Sequence, residues 1–486
     1  MGHVIDADYR QQFLLLPCLE DWVGAGHPAR FIREFVDALD LDAVGIRWAA
    51  GEGGRPAYAR GLLVKVWLYG YFQRIRSTRK LEQACRDNVG LMWLTGLQQP
   101  DHNTLSAFFR ANKEGLRALF RQTVAVAAQA DLVGFVLHAL DGTKLAAQVG
   151  NRTGWHKERL EELLEKLDAR IAALEAELEQ NDAMPGVSDE LPQGLAQREA
   201  LRERVRAALG ELEAAGQAHL HPADRDARVM KCQDRNRNTF GYNAQAVADD
   251  RANLVVACEV VQDCNDEGQL NAMVDCVVAQ AGQAAERTVA DTGYATGPEL
   301  AHAEQEERDV VVALPAAMRP NPDAPFHASN FTYDGQRNCC ICPKGGILTY
   351  RSTRPHRAKG YLLRVYRCTA KGCPHRAACT KGKKARTIEL NQYYEAVVGQ
   401  RQKHQDPRAR ADLAKRCYLI EPVFAFIKQH LGFRRFTVKG LANVRAQWAL
   451  LCATYNLHQL YRRWREGGCC LNPLPGALPT PSATTA

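Results

Sequence analysis

The sequence predicts a mixed α/β protein, with a core of strands and helices preceded by an all-α N-terminal domain and interrupted by two insertions. Three observations carry that prediction. Apolar residues recur at helical spacing through the first 130 residues; strand-like apolar runs alternate with helical runs from residue 133 onward; and a heptad-patterned stretch and a cysteine-rich stretch break the alternation. With 486 residues, 46% of them hydrophobic, the chain buries a substantial core and is not disordered. Its formal net charge of +8 fits a nucleic-acid partner and also fits many ordinary soluble proteins. The opening MGHVIDADYRQQ lacks a basic region followed by an apolar core. No apolar run approaches the roughly 20 residues that span a bilayer, so no membrane association and a cytoplasmic location are expected. In a reducing compartment the 16 cysteines point to metal binding or burial, and their clustering between Cys339 and Cys379 favours metal.

Residues 1–130 are read as the helical domain, from PARFIREFVDALDLDAV and ARGLLVKVWLYGYFQRI on either side of the Gly/Pro-rich connector GEGGRPAY. The run from STRKLEQACRDN to RANKEGLRALF predicts three short helices, with Ser77 or Thr78 and then Asn103 or Thr104 as caps. Such a group is either a helix-turn-helix DNA reader or a small bundle with solvated charges. VGFVLHALDGTKL then reads as a buried strand ending on Asp141 before a Gly turn. A buried strand-end Asp needs a partner or a cation, although a turn-forming Asp-Gly is the commoner meaning of such a pair.

Residues 155–216 are the first insertion. Leu160, Leu164, Leu167, Ile171, Leu174 and Leu178 alternate steps of four and three, a coiled-coil seam. After the breaker-rich NDAMPGVSDELPQG, Leu195, Leu201, Val205, Leu209 and Leu212 predict a second helix folding back as an antiparallel hairpin, structural or dimer-forming. The core, begun at 131–154, resumes over 217–316. FGYNAQAVAD and NLVVACEVV read as an antiparallel pair, GQLNAMVDCVVAQAG as a helix, RTVADTGY as a strand ending on Asp291, PELAHAEQEE as a helix and DVVVALP as a strand. That succession is the order of a ribonuclease-H-like fold, in which Asp141 and Asp291 end two strands that can lie side by side.

Residues 317–390 are the cysteine-rich insertion. A zinc site wants four soft ligands, and Cys342, Cys368, Cys373 and Cys379 are the predicted set, with Cys340 and His375 as substitutes and buried free thiols as the alternative. The dense Lys and Arg around them suggest nearby phosphates. Residues 391–465 complete the core and contain YLIEPVFAFIKQHLGFRRFTVK. Pro422 directly after Glu421 places that glutamate at or just before a helix start, with Lys428 returning to nearly the same face and a further helix beginning near Val438. Residues 466–486, rich in Pro, Ala and Thr, read as a disordered tail.

Taken together, RSTRKLEQACRDN, PDHNTLSAFFR, LDGTKL, DARVMK with FGYNAQ, ADTGY, IEPVFAFIKQHLGFRRF and GLANVRAQWALLCATYNL resemble a DDE transposase of a bacterial insertion sequence, of the branch with a cysteine-rich insert before the glutamate. The likeness runs from about residue 9 to 464. It implies Asp141, Asp291 and Glu421 as catalytic carboxylates holding Mg²⁺ or Mn²⁺, with Asp141 bridging two ions about 3.5–4 Å apart. It also implies transposon-end and target DNA as partners, a homodimer or higher assembly on DNA, and a nucleoid-associated protein. Lys428 and Arg416 are expected to hold a flanking phosphate, and Arg434, Arg435 and Lys439 to extend a basic path. One position departs: Cys417 stands where related enzymes carry an arginine, with Lys415 and Arg416 beside it. Two alternatives share these features, a host nuclease on the same fold and a non-catalytic DNA-binding regulator.

Overall fold

Caps and breakers set the first helices in the computed structural model, which describes residues 18–48, 56–181, 190–232, 237–319, 321, 323–356, 360–381 and 384–467. The opening read for a leader, part of the GEGGRPAY connector, most of the hairpin link and the tail lie outside these residues. Helix α1 (Pro28–Asp37) starts on a proline, with His27 Nδ1 accepting the Ala29 N–H at 3.1 Å. Helix α2 (Arg60–Phe72) is apolar nearly all round and becomes the centre of the bundle, with Leu63, Val64, Val66 and Leu68 fully buried. Then come α3 (Thr78–Asp87), α4 (Val89–Thr95), α5 (His102–Ala111) and α6 (Lys113–Gln129). Ser77 is the N-cap of α3, but the cap of α5 is Asp101 rather than Asn103 or Thr104. The Asp101 carboxylate reaches the Thr104 N–H at 2.6 Å, as a short acceptor at that position can.

Strand β1 (Leu137–Ala146) leads into β2 (Trp155–His156), and α7 (Lys157–Asn181) and α8 (Glu190–Ala214) form the hairpin, closed at its base by β3 (His219–Leu220) pairing with β2. Its seam buries Leu167, Ile171 and Leu174 from α7 and Val205, Ala208 and Leu212 from α8. The chain continues through β4 (Arg228–Cys232), β5 (Arg237–Asp249), β6 (Val255–Val261), α9 (Leu270–Ala281), β7 (Arg287–Ala290), α10 (Gly297–Gln305) and β8 (Val310–Val312). These make one sheet ordered β4-β5-β1-β7-β8, with β6 also pairing with β5. Strand β5 is antiparallel to β1 and β6 to β5, whereas β7 is parallel to β1 and β8 to β7.

The cysteine-rich insertion builds its own antiparallel sheet from β9 (Thr332–Asp334), β10 (Cys339–Ile341), β11 (Ile347–Pro355) and β12 (Leu362–Cys368), then a turn of helix α11 (Arg376–Cys379) and β13 (Thr387–Asn391). Phe331, Cys340, Leu348, Tyr366, Ile388 and Leu390 form a small core of its own. Helices α12 (Tyr394–Lys403), α13 (Pro407–Ala425) and α14 (Leu441–Arg465) complete the chain. Helix α14 begins at Leu441 rather than Val438, because Gly440 at φ +80° breaks the backbone there. It packs against α6 and β6, where the buried amide of Asn456 both donates to Val255 O (2.8 Å) and accepts from Val255 N–H (2.9 Å). No helix among the described residues is long and apolar enough to cross a membrane.

Candidate active site

Asp141 lies within β1 and not at its exit, and Gly142 is strand rather than turn. The cause is β5, which pairs with β1 from His138 through Ala146 and keeps the backbone extended past the aspartate. On its other side β1 pairs with β7 only as far as Ala139↔Val289. Carrying that parallel register two residues on sets Asp141 opposite Asp291, which follows β7 and caps a short 3₁₀ turn by accepting the Gly293 N–H at 2.8 Å. Matched positions on parallel strands point to one face, so both carboxylates leave the sheet together. Burial pushes the Asp141 carboxyl up to about 6; Arg416 opposes this, while Asp291 and Asp266 add to it.

Asp266 is the residue that sequence reading missed. It sits in the loop between β6 and α9, where CNDEGQ offers no pattern that separates it from a solvated acidic turn. In the fold it is half-buried beside both aspartates. Lys144 Nζ approaches its Oδ2 at 2.7 Å, and the side-chain amides of Asn243 and Gln245 donate to its Oδ1 at 2.9 and 2.8 Å. Burial acts to raise its carboxyl, but Lys144 and these amides outweigh it and hold Asp266 below the usual carboxylate range. Gly142 is required for this packing, since a Cβ there would stand 2.6 Å from Asp266 Oδ1. A Cβ on Gly293 would lie 3.1 Å from Asp291 Oδ1 and 3.4 Å from Asp266 Oδ2, so the Asp266 side chain packs between Gly142 and Gly293.

Glu421 stands inside α13, not at a helix start. The start signal that operates is Asp406-Pro407: Asp406 accepts the N–H groups of Arg408 and Ala409 at 3.0 and 3.2 Å, and Pro407 fills the first position. Pro422 is therefore an interior proline, and the helix loosens just beyond it into a π turn, Phe426–His430, closed by Leu431 N–H to Phe426 O at 2.8 Å. Lys428 falls in that turn, so the two-turn repeat that would align it with Glu421 does not hold. Among the contacts that α13 makes with the strands is that of Arg416, whose Nη1 lies 3.0 Å from Asp141 Oδ2. Glu421 is exposed five residues further on, about 140° round the helix from Arg416. Arg434, Arg435 and Lys439 are exposed after the π turn. Among the described residues no three His, Cys, Asp or Glu side chains converge closely enough to hold a metal ion. Asp141 and Asp291 nevertheless supply the hard oxygen donors a divalent cation takes, and Asp141 already draws a cationic group.

The four predicted cysteines line one cavity of about 380 Å³ in the insertion. Cys342 opens a tight turn: its N–H donates to Gly346 O (2.8 Å), Gly345 N–H donates to its carbonyl (2.9 Å), and Gly346 N–H donates to its sulfur (3.2 Å). Burial raises the Cys379 thiol; Arg386 opposes this, and Cys342, Cys368 and Cys373 add to it. Cys340, a candidate substitute, is in the insertion's apolar core, its thiol pushed up to about 12 by burial, and so faces away from this set's role. His375 remains on the cavity wall.

Two protein-family models match. The description "Transposase domain (DUF772)" covers residues 17–111, and "Transposase DDE domain" covers residues 341–461. Both matches are to transposase families, and together they indicate a DDE-type transposase of an insertion sequence. The first match takes in helices α1 to α5, and the second runs from the cysteine turn through α13 into α14, so it includes Glu421. Asp141 and Asp291 lie between the two matched spans. No curated protein matches the chain.

Proposed function

We propose that the protein binds the terminal inverted repeats of its insertion sequence, nicks DNA to free 3′-hydroxyls, and joins these to target DNA by transesterification on a ribonuclease-H-like core. The observation that carries the reading is the parallel register that sets Asp141 and Asp291 side by side on one face of the sheet beneath α13, which bears Glu421. The strand order and directions, four antiparallel strands (β1, β4, β5 and β6) followed by two parallel ones, support the fold assignment.

Divalent cations, when bound, would activate water or a 3′-hydroxyl and stabilise the leaving oxygen. Asp141 and Asp291 would hold them, with Glu421 as the third carboxylate if α13 turned about its contact with the sheet. Arg416 neutralises Asp141 until then and afterwards reaches the flanking phosphate; Lys428, Arg434, Arg435 and Lys439 carry the strand onward. Asp266 fixes the packing between Gly142 and Gly293. The insertion is read as a structural zinc module on Cys342, Cys368, Cys373 and Cys379, supported by their common cavity and by the N–H directed at the Cys342 sulfur.

Asp141→Asn is the test. It keeps binding to the terminal repeat, measured by fluorescence anisotropy, and loses cleavage of that repeat in Mg²⁺. Retained cleavage overturns the assignment, and cleavage by the wild type without terminal-repeat preference favours the host-nuclease reading.

A further inference from the structure

At the seam between the helical bundle and the sheet lies a second cavity, of about 650 Å³. Its wall carries Arg76, Arg79, Arg110 and Lys439, and among the described residues no acidic side chain lines it. Like charges gathered without a counter-charge repel one another, and the repulsion is relieved by an anion. Arg76 is the most firmly placed, its Nη1 donating to Leu431 O at 2.7 Å and its guanidinium lying 5.5 Å from the centre of the Phe433 ring. It therefore cannot turn away into solvent.

Two further groups in the wall have donors to spare. The indole N–H of Trp67, a residue only 4% exposed, has no partner. Ser77 occupies the N-cap of the ten-residue helix α3, yet its side chain makes no cap hydrogen bond. The first N–H groups of α3 are thus left to another acceptor, at the end of the helix that favours negative charge. Unmet donors, clustered cations and a helix N-terminus together describe an anion site with more than one kind of donor.

The position selects among anions. Gln148 on the cavity wall lies just past the end of β1, the strand that carries Asp141. From Asp141 to the strand end is five residues, roughly 17 Å at about 3.4 Å each. Duplex DNA rises 3.4 Å per base pair, so the seam lies about five base pairs along a helix leaving Asp141 in the direction of β1. We propose that this cavity binds one backbone phosphate of the transposon-end DNA, about five base pairs from the bond held at Asp141. Because α2, α3 and α5 contribute one wall and the segment before α14 with the start of α14 the other, the same phosphate ties the helical bundle to the catalytic core.

This rests on the transposase reading and is tested on the full chain with a duplex bearing the terminal repeat. Binding is followed by anisotropy between about 50 and 200 mM salt, where log affinity falls linearly with log salt by about 0.9 per phosphate neutralised. The Arg79→Ala/Arg110→Ala double variant is expected to show a slope shallower by about 0.9, with thermal melting unchanged. In the wild type, uncharged methylphosphonates placed singly near the cleaved bond are expected to reproduce that loss at one position and to cost the double variant nothing there. An unaltered slope in the double variant, or a flat methylphosphonate scan, overturns the proposal. If the double variant misfolds, the scan on wild-type protein decides alone. Inorganic phosphate that shifts the tryptophan emission of the wild type, together with a flat scan, would identify a free-anion site instead. Asp141→Asn separates the two claims, since it leaves the slope intact while testing cleavage.

Discussion

At the residue scale, the three carboxylates were legible in the sequence to different degrees. Asp141 and Asp291 stood out because each closes a short apolar run in the sequence, although β1 continues past Asp141 and their common register needed the fold. Asp266 was not readable, because its meaning comes from Lys144, Asn243 and Gln245, which approach it from two other strands. A second residue of this kind is Arg287, which opens β7 and joins three elements. Its Nε pairs with Asp309 at 2.8 Å and its Nη1 with Asp412 of α13 at 2.9 Å, while Lys403 of α12 reaches Asp309 at 2.9 Å. Burial tends to raise both carboxyls. For Asp412, Lys415 and Arg287 outweigh it, and for Asp309, Lys403 and Arg287 do, so both sit below the usual range. Depressed carboxyls add stability that is present above the unfolded value of about 3.9 and lost as pH falls through the folded value. Arg287→Met is therefore expected to destabilise the protein by about 1–3 kcal/mol at pH 7. In denaturant titrations the gap to wild type should narrow as the pH drops below about 4; a gap that persists unchanged at lower pH would remove the ion pairs as its cause.

At the scale of elements, strands and helices with a clear period were readable, and those whose ends depend on tertiary contact were not. The runs for β5, β6, α9, β7, α10 and β8 announce themselves by apolar period, with Gly282 just past α9 and Gly297 opening α10. The placement of Glu421 failed because Pro422 imitates a helix start, whereas Asp406-Pro407 had already begun α13. A proline inside a helix is costly, and the packing of α13 against β1, β5 and β7 offsets that cost here. The cysteine insertion was readable in composition but not in architecture, since its five-stranded sheet is ordered by a core of six residues drawn from across 331–390. The four thiols line one cavity without converging closely enough to hold a metal ion, so the proposed zinc site would require that cavity to tighten. Protein purified without chelator is expected to release one zinc per chain to a chromogenic chelator after thiol modification. Cys342→Ser and Cys373→Ser should each lower that yield and the melting temperature, while Cys340→Ser should leave the zinc yield unchanged. Zinc-free protein whose melting does not respond to added Zn²⁺ would remove the module reading.

For the whole molecule, the helical hairpin raises the question of whether it serves assembly or spacing. Its heptads resemble a dimer seam when α7 is read alone, but in the fold the seam is consumed internally, Leu167, Ile171 and Leu174 meeting Val205, Ala208 and Leu212. What remains outside is largely charged, with pairs such as Lys166–Glu162 and Arg206–Glu203 among exposed side chains. A surface of that kind offers little apolar area to a second copy. The two helices enter and leave at one place, where Trp155 pairs with Leu220, His156 with His219, and Lys157 N–H donates to Ala218 O at 3.0 Å. Since that base is already a two-stranded antiparallel ladder, an Asn-Gly turn joining Lys157 to Ala218 should replace the hairpin without moving β1 or β4. The excised protein is expected to keep its far-ultraviolet spectrum less the hairpin's helix, its binding to the terminal repeat and its oligomeric state by light scattering. A fall in oligomeric state with the fold retained would instead make the outer face of α7 and α8 an assembly surface, and loss of the fold would mean that the hairpin braces the sheet it leaves.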